Sequence, residues 1–274
     1  MQEIAERFRS LGKFLAVVPT MGFLHRGHAS LINQARSRAD IVITTIFVNP
    51  TQFAPNEDFN NYPRDFEHDK NVAEGAGTDI IFAPEAYDMY PKEFSSDVEV
   101  EGASSILEGA FRPIHFQGVT TVVTKLFHIT KPHSAIFGQK DAQQAFIVRK
   151  MVKDLNFDID VIIAPIIREE DGLALSSRNI YLNEIERKNA LVLYRSLQYA
   201  VQRVQSGEKK AADIRTGMEQ IVLSGNPSQI DYIAFINPVI FEEVEYLQPP
   251  EVLVALAVRF GSTRLIDNMR IQVA

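Results

Sequence analysis

The sequence predicts an α/β protein, with a doubly wound, Rossmann-like parallel-sheet domain followed by a smaller α+β domain. Near-continuous Val/Ile runs alternate with helical patterns through the first half, as in parallel strands covered on both faces. The alternation stops at Pro165. Beyond it come amphipathic helical stretches and then runs that resemble a small antiparallel sheet. The boundary is expected near 167, giving domains 1–167 and 168–274.

In order, the strand candidates of the first half are 14–18, 41–48, 79–82, 134–137 and 160–164. The helix candidates between them are 28–39, 64–76, 119–129 and 142–155. The first of these places Leu31, Ile32, Ala35 and Ala39 on one face. In the second half, 184–206 places Leu193, Leu197, Val201 and Val204 along one side of a single long helix. A second helix is expected at 211–223, and strands at 230–236, 251–259 and 264–273.

The chain has 274 residues, 46% hydrophobic and 23% charged, a balance that can bury a sizeable core. Its net charge of −7 argues against general nucleic-acid binding but leaves room for local basic clusters around an anionic ligand. The absence of Cys excludes disulfides, thiolate metal sites and a thiol nucleophile, and fits a reducing cytoplasm. No apolar run approaches the roughly 18 residues of a membrane span. The first residues, Met1-Gln2-Glu3-Ile4-Ala5-Glu6, lack a signal-peptide pattern.

Ligands of doubly wound sheets sit at the carboxyl ends of strands. The segment after the first strand is Pro19-Thr20-Met21-Gly22-Phe23-Leu24-His25-Arg26-Gly27-His28. Gly27 allows close backbone approach, and the helix start offers N–H groups and partial positive charge to a phosphate. Two imidazoles there can donate to oxygens that gain charge during phosphoryl or nucleotidyl transfer. Helix-end decoration and metal ligation are the competing readings. The second is disfavoured by the lack of Cys and of a nearby carboxylate at ligand spacing.

Phe47-Val48-Asn49-Pro50-Thr51-Gln52-Phe53 follows the second strand. Asn49 and Gln52 are candidates to bind a small polar ligand with an apolar body, against the alternative of a capped loop. Residues 56–59 read as a solvated surface loop. In 109–119, Arg112 and His115 suit an anionic ligand, but a structural role carries more weight. Phe137-Gly138-Gln139-Lys140-Asp141-Ala142-Gln143-Gln144 is a second strand–Gly–helix junction, with Lys140 as a mobile charge for phosphate and Gln144 one turn inside the helix. Gly172-Leu173-Ala174-Leu175-Ser176-Ser177-Arg178-Asn179 reads as a phosphate clamp or, equally, as an N-cap plus a surface Arg.

Five motifs stand in one order along almost the whole chain: Pro-Thr-Met-Gly-x-Leu-His-x-Gly-His, Phe-Val-Asn-Pro-x-Gln-Phe, Arg-Pro-x-His-Phe-x-Gly-Val, Phe-Gly-x-Lys-Asp-x-Gln-Gln and Asp-Gly-Leu-Ala-x-Ser-Ser-Arg-Asn. Each is weak alone; the ordered set is specific. It resembles the pantothenate synthetase (pantoate–β-alanine ligase) family of the HIGH-motif nucleotidyltransferase superfamily. The resemblance implies that (R)-pantoate and ATP give pantoyl adenylate and pyrophosphate. The amine of β-alanine then gives pantothenate and AMP. It also implies Mg2+, a homodimer and a cytoplasmic location, with small-molecule substrates and neither nucleic acid nor membrane as partner.

Carried over residue by residue, Met21, Gly22, Phe23, Leu24, His25, Arg26, Gly27 and His28 would line the ATP site. His25 and His28 would contact its phosphates, His28 in the place of the family's proton donor. Gly138, Gln139, Lys140 and Asp141 would also bind ATP, and Ile167 would touch the adenine through its backbone. Leu175, Ser176, Ser177 and Arg178 correspond to a flexible phosphate-binding signature. Gln52 and Gln144 would hold pantoate, and Gln52 also β-alanine. The catalytic set is then His25, His28, Lys140, Ser176, Ser177 and Arg178. Gln139 stands where many members have Glu, and Arg26 where an acid is common; both slots vary. On the residues alone, a superfamily transferase acting on a phosphorylated substrate stays open, although the uncharged Gln52 and Gln144 speak against it. So does a nucleotide sensor without turnover.

Overall fold

A computed structural model describes residues 1–54 and 57–273. Asn56, part of the expected surface loop, lies outside them.

The apolar runs form β1 (Leu15–Thr20), β2 (Ile41–Ile46), β3 (Ile80–Phe82), β4 (Ser134–Gly138) and β5 (Asp160–Ala164). All pair in parallel, in the order β3-β2-β1-β4-β5. β1 and β2 are buried almost end to end, so their sequences read as continuous apolar runs instead of alternating ones. The helices are α1 (Gln2–Ser10), α2 (Arg26–Arg36), α3 (Phe66–Gly75), the single turns α4 (Ala86–Met89) and α5 (Glu108–Phe111), α6 (His115–Thr130) and α7 (Ala142–Asp154). One core cluster joins Ala16 and Val18 of β1 to Ile32 and Ala35 of α2, Ala73 of α3 and Ile136 of β4. Burying side chains as large as Ile32 and Ile136 stabilises by about 1.5–3 kcal/mol each.

The strand order changes direction at the β1/β4 boundary. A ligand crevice is expected outside the carboxyl ends at such a switch point. The segments leaving β1, β2 and β4 are those with His-x-Gly-His, Asn49 and Gln52, and Lys140 and Gln144.

The later part holds α8 (Glu184–Asn189), α9 (Val192–Gln205), α10 (Ala211–Leu223) and an antiparallel sheet. Its strands β6 (Gln229–Asn237), β7 (Glu242–Glu243), β8 (Glu251–Phe260) and β9 (Thr263–Gln272) lie in the order β7-β6-β8-β9. Val252, Val254, Leu256 and Val258 alternate along β8 into a core with Leu193 and Leu197 of α9 and Ile214, Met218 and Val222 of α10. The long helix expected over 184–206 is broken at Ala190-Leu191. The Leu193 N–H bonds back only three residues, to the Ala190 carbonyl. Gly225 packs there so closely that a Cβ would sit 2.8 Å from both the Asn189 carbonyl oxygen and Val192.

The chain forms two compact units, Met1–Gln139 with Gln143–Pro165, and Lys140–Ala142 with Ile166–Ala274. Lys140, placed in the first domain by sequence order, clusters with the second.

Candidate active site

The turn after β1 is shaped by a buried acid that sequence reasoning missed. Asp69 of α3 is 1% exposed. Its Oδ2 accepts from the Phe23 N–H (2.8 Å) and its Oδ1 from the Leu24 N–H (2.6 Å). His68 bonds the Leu24 carbonyl at 2.9 Å. Phe23 is held at φ +50° and Gly22 at φ +84°; a Cβ on Gly22 would meet Asp69 Oδ2 at 2.8 Å. This backbone delivers His25 and His28 to the start of α2. The helix begins at Arg26, two residues earlier than its periodicity predicts, because His25 itself is the N-cap. His25 Nδ1 accepts from the Gly27 N–H (3.1 Å), and His28 Nδ1 accepts from the His25 N–H (3.2 Å). The two rings lie 4.1 Å apart. A backbone N–H can only donate, so both Nδ1 atoms are acceptors. In each neutral imidazole Nε2 therefore carries the proton and is the donor. Met21, His25 and His28 are half-buried, while Arg26 is exposed.

After β2, Asn49 and Gln52 bracket a 3-10 turn, Pro50–Gln52. Asn49 is drawn into the fold at this turn. It is 0% exposed, and its Nδ2 donates to Gln52 Oε1 (3.0 Å) and to the Gly118 carbonyl (3.1 Å). Asn49 thus holds Gln52 in place. With Oε1 engaged, Gln52 keeps Nε2 as its donor. Gly118 allows the close approach: a Cβ there would lie 2.5 Å from the Thr51 carbonyl oxygen.

Arg112 and His115 brace the same turn from α6 and the residues before it. Arg112 donates to Gln52 O (3.2 Å), and His115 Nδ1 lies 3.1 Å from that oxygen. Arg112 also forks onto Glu57 at 2.5 and 3.1 Å. Glu57 is therefore an ion-pair partner and not a solvated loop residue. Burial pushes its carboxyl up, but the Arg112 guanidinium outweighs this and holds it below the usual range. Burial, reinforced by Arg112, pushes His115 down from 6.5 to about 4. Below 6.5 the unfolded chain takes up a proton that the folded protein refuses. The stability that neutral His115 contributes is therefore complete above about 6.5 and lost as pH falls towards about 4. We expect urea unfolding to lose about 3 kcal/mol across that window relative to His115→Gln. A difference between the two proteins that does not change with pH would contradict this.

After β4, Gly138 leads into the 3-10 turn Gln139–Asp141 and then α7. The two adjacent glutamines of α7 divide their work. Gln143 is buried, donating to the Ala103 and Ile106 carbonyls and accepting from the Glu108 N–H. Gln144 is half-buried, and its amide has no hydrogen-bond partner among the described residues.

In the second unit, Lys140 Nζ lies 3.5 Å from Asp141 Oδ1, and its carbonyl accepts from Asn268 Nδ2 at 2.9 Å. The stretch from Ile167 to Leu175 doubles back on itself. Leu175 N–H donates to Ile167 O (3.0 Å), Arg168 pairs with Ala174, and Gly172 turns at φ +98°. A Cβ on Gly172 would fall 2.1 Å from the Tyr194 ring. Arg187 holds the turn through Glu169 (2.7 Å) and Asp171 (2.8 Å). Ser176 then caps the 3-10 turn Ser177–Tyr181 through the Arg178 N–H. Leu175, Ser176, Ser177 and Arg178 are all half-buried, so the segment carries both a cap and a candidate clamp.

Comparison with known proteins gives one answer. The Pantoate-beta-alanine ligase family profile matches residues 1–270. A pantothenate synthetase of Acetivibrio thermocellus is 50% identical over 273 residues, covering 100% of this chain and 97% of its own. One of Geobacter sulfurreducens is 53% identical over 268 residues, covering 98% and 94%. The crystal structure of pantothenate synthetase from Thermus thermophilus superposes with a TM-score of 0.91 at 42% identity, covering 97% of this chain and 96% of that one. The Francisella tularensis pantoate-beta-alanine ligase, solved with β,γ-ATP and β-alanine, gives a TM-score of 0.75 at 32% identity, covering 97% and 95%. With its sheet order, its β1 turn and all five motifs, the chain belongs to the pantoate–β-alanine ligase family.

Proposed function

We propose that this chain condenses (R)-pantoate with β-alanine in an ATP-dependent reaction, through pantoyl adenylate, releasing pyrophosphate and AMP. The observation that carries the chemistry is the paired-histidine cap at the carboxyl end of β1. Its two Nδ1 atoms are occupied by backbone N–H groups, so each Nε2–H is a hydrogen-bond donor. In the first step a pantoate carboxylate oxygen attacks the α-phosphorus, and the bond to the β-phosphate oxygen breaks. The carboxylate is already ionised near neutral pH and needs no strong base. Catalysis then consists of positioning and of neutralising charge on the leaving pyrophosphate. We assign that work to His25, His28, Lys140, Ser176, Ser177 and Arg178. In this reading His28 is a hydrogen-bond donor and not an acid that gives up its proton. In the second step the neutral amine of β-alanine attacks the acyl carbon, the bond to AMP breaks, and the amine sheds a proton.

Residues 21–28 and 138–141, with Ile167 and Leu175, are assigned to ATP, and Gln52 and Gln144 to pantoate. Mg2+ fits as an ion carried by the nucleotide, whose phosphate oxygens are the hard ligands it prefers. Asp141, exposed beside Lys140, is the carboxylate of that segment. When bound, the ion would offset phosphate charge. The same reading includes a homodimer in the cytoplasm, in keeping with a chain that has no cysteine. No helix among the described residues is long and apolar enough to cross a membrane.

AMP formation measured with ATP, pantoate and β-alanine, each left out in turn, tests the activity. Full turnover should need all three, and AMP release without pantoate would defeat the reading. Gln144→Ala should weaken pantoate by about 10- to 150-fold, the loss of a hydrogen bond to a charged group, with ATP little changed. An equal loss for both substrates would remove Gln144 from the pantoate site.

A further inference from the structure

The second unit contains a buried polar network that the assignments above do not use. Asp267 and Asn268 are adjacent on β9, 2% and 3% exposed. Arg168 forks onto Asp267, Nη1 to Oδ2 at 2.6 Å and Nη2 to Oδ1 at 2.9 Å. Burial pushes the Asp267 carboxyl up, and the guanidinium opposes it. Arg168 also donates to the Gly172 carbonyl (3.1 Å) and to the Asn268 carbonyl (3.3 Å), with its guanidinium 4.5 Å over the Tyr194 ring. The Asn268 N–H donates to Asp267 Oδ1 (2.8 Å), while Asn268 Nδ2 donates to the Lys140 carbonyl (2.9 Å).

A single two-residue step on β9 therefore holds two segments far apart in sequence. One carries Lys140. The other is the Ile167–Gly172 turn, from which the chain runs on to Ser176, Ser177 and Arg178. A buried bidentate pair is a costly device if only stability is needed, because apolar packing of similar volume often serves as well. What the fork adds is a fixed angle and register.

We infer that Asn268, with Arg168 and Asp267 behind it, is a positioning residue for Lys140, fixing its backbone so that its ammonium meets the phosphates of ATP. The inference rests on the proposed role of Lys140. None of the three residues stands in the five motifs, and none need touch substrate.

The test compares the two half-reactions. In Asn268→Ala the rate of pantoyl-adenylate formation should fall about 10- to 100-fold, the scale of an ångström-size misplacement. Pantothenate formation from supplied pantoyl adenylate and β-alanine should stay within about twofold, since no pyrophosphate leaves in that step. Asn268→Gln, which keeps the amide donor, should recover part of the loss. In a Lys140→Ala background Asn268→Ala should cost nothing further, because the positioned group is gone. Arg168→Lys keeps the charge but not the fork, and it should show the same split if Asn268→Ala does not fold. Three results overturn the inference: adenylation near wild type in Asn268→Ala while Lys140→Ala is crippled, equal loss of both half-reactions in folded protein, or additive losses in the double variant. Intact adenylation in Lys140→Ala would instead remove the role of Lys140 itself, and this inference with it.

Discussion

His28→Ala and Lys140→Ala will each slow pantoyl-adenylate formation by about 10²–10³, the usual loss when one donor to a developing charge is removed. His28 contributes an Nε2–H whose presence is set by the backbone bond on Nδ1. Lys140 contributes a point charge at the end of β4, its backbone held by Asn268. In the proposed reading both act hardest as charge collects on pyrophosphate, so the rate should fall more than ATP affinity. The second half-reaction, begun from supplied pantoyl adenylate, should suffer less. Rapid-quench measurement of adenylate, with a thermal melt to verify folding, separates these outcomes. Adenylation near wild type in His28→Ala, or equal damage to both steps in a folded protein, would take the phosphate role away from this turn.

Asp69→Ala should destabilise the protein through the same turn. It leaves the Phe23 and Leu24 N–H groups without their acceptor, at about 1–3 kcal/mol for each buried donor left unpaired. Phe23, at positive φ, loses the acceptor that holds its N–H. Adenylation should drop as well, because His25 and His28 follow directly in the chain. Asp69→Asn keeps one acceptor oxygen and should fall between wild type and Ala. Urea unfolding gives the free energy. An Asp69→Ala midpoint equal to wild type would show that the turn holds its shape without the carboxylate.

Much of this was legible in sequence because the signals were local. The continuous runs of β1 and β2 announce strands buried on both faces, and β5 falls at 160–164 as its apolar run predicts. His-x-Gly-His, Lys140 and Gln144 lie at strand ends, where a doubly wound sheet binds ligands. What stayed hidden depends on contacts distant in sequence. Asn49 and Gln52 look alike as loop amides, and only Gly118, 69 residues from Asn49, shows that Asn49 turns inward. Asp69 lies four residues before Ala73 on the inward side of α3, and an acid at an inward position was the one available hint. Asn268 carried no signal, since the Lys140 carbonyl it binds is 128 residues away. The break between α8 and α9 was invisible for the same reason, as the close approach of Gly225 comes from outside the helical pattern.

The fate of the pantoate carboxylate oxygens tests the central claim most directly. If a carboxylate oxygen attacks the α-phosphorus, pantoate labelled with heavy oxygen in its carboxylate must pass one label to AMP in every turnover, because the acyl carbon–oxygen bond is the one the amine later breaks. Mass spectrometry of the AMP should find one label per molecule and none in pyrophosphate. One label stays in the amide carbonyl of pantothenate in any case; unlabelled AMP, with the departing label in pyrophosphate or water, would contradict an adenylate intermediate and the account built on it.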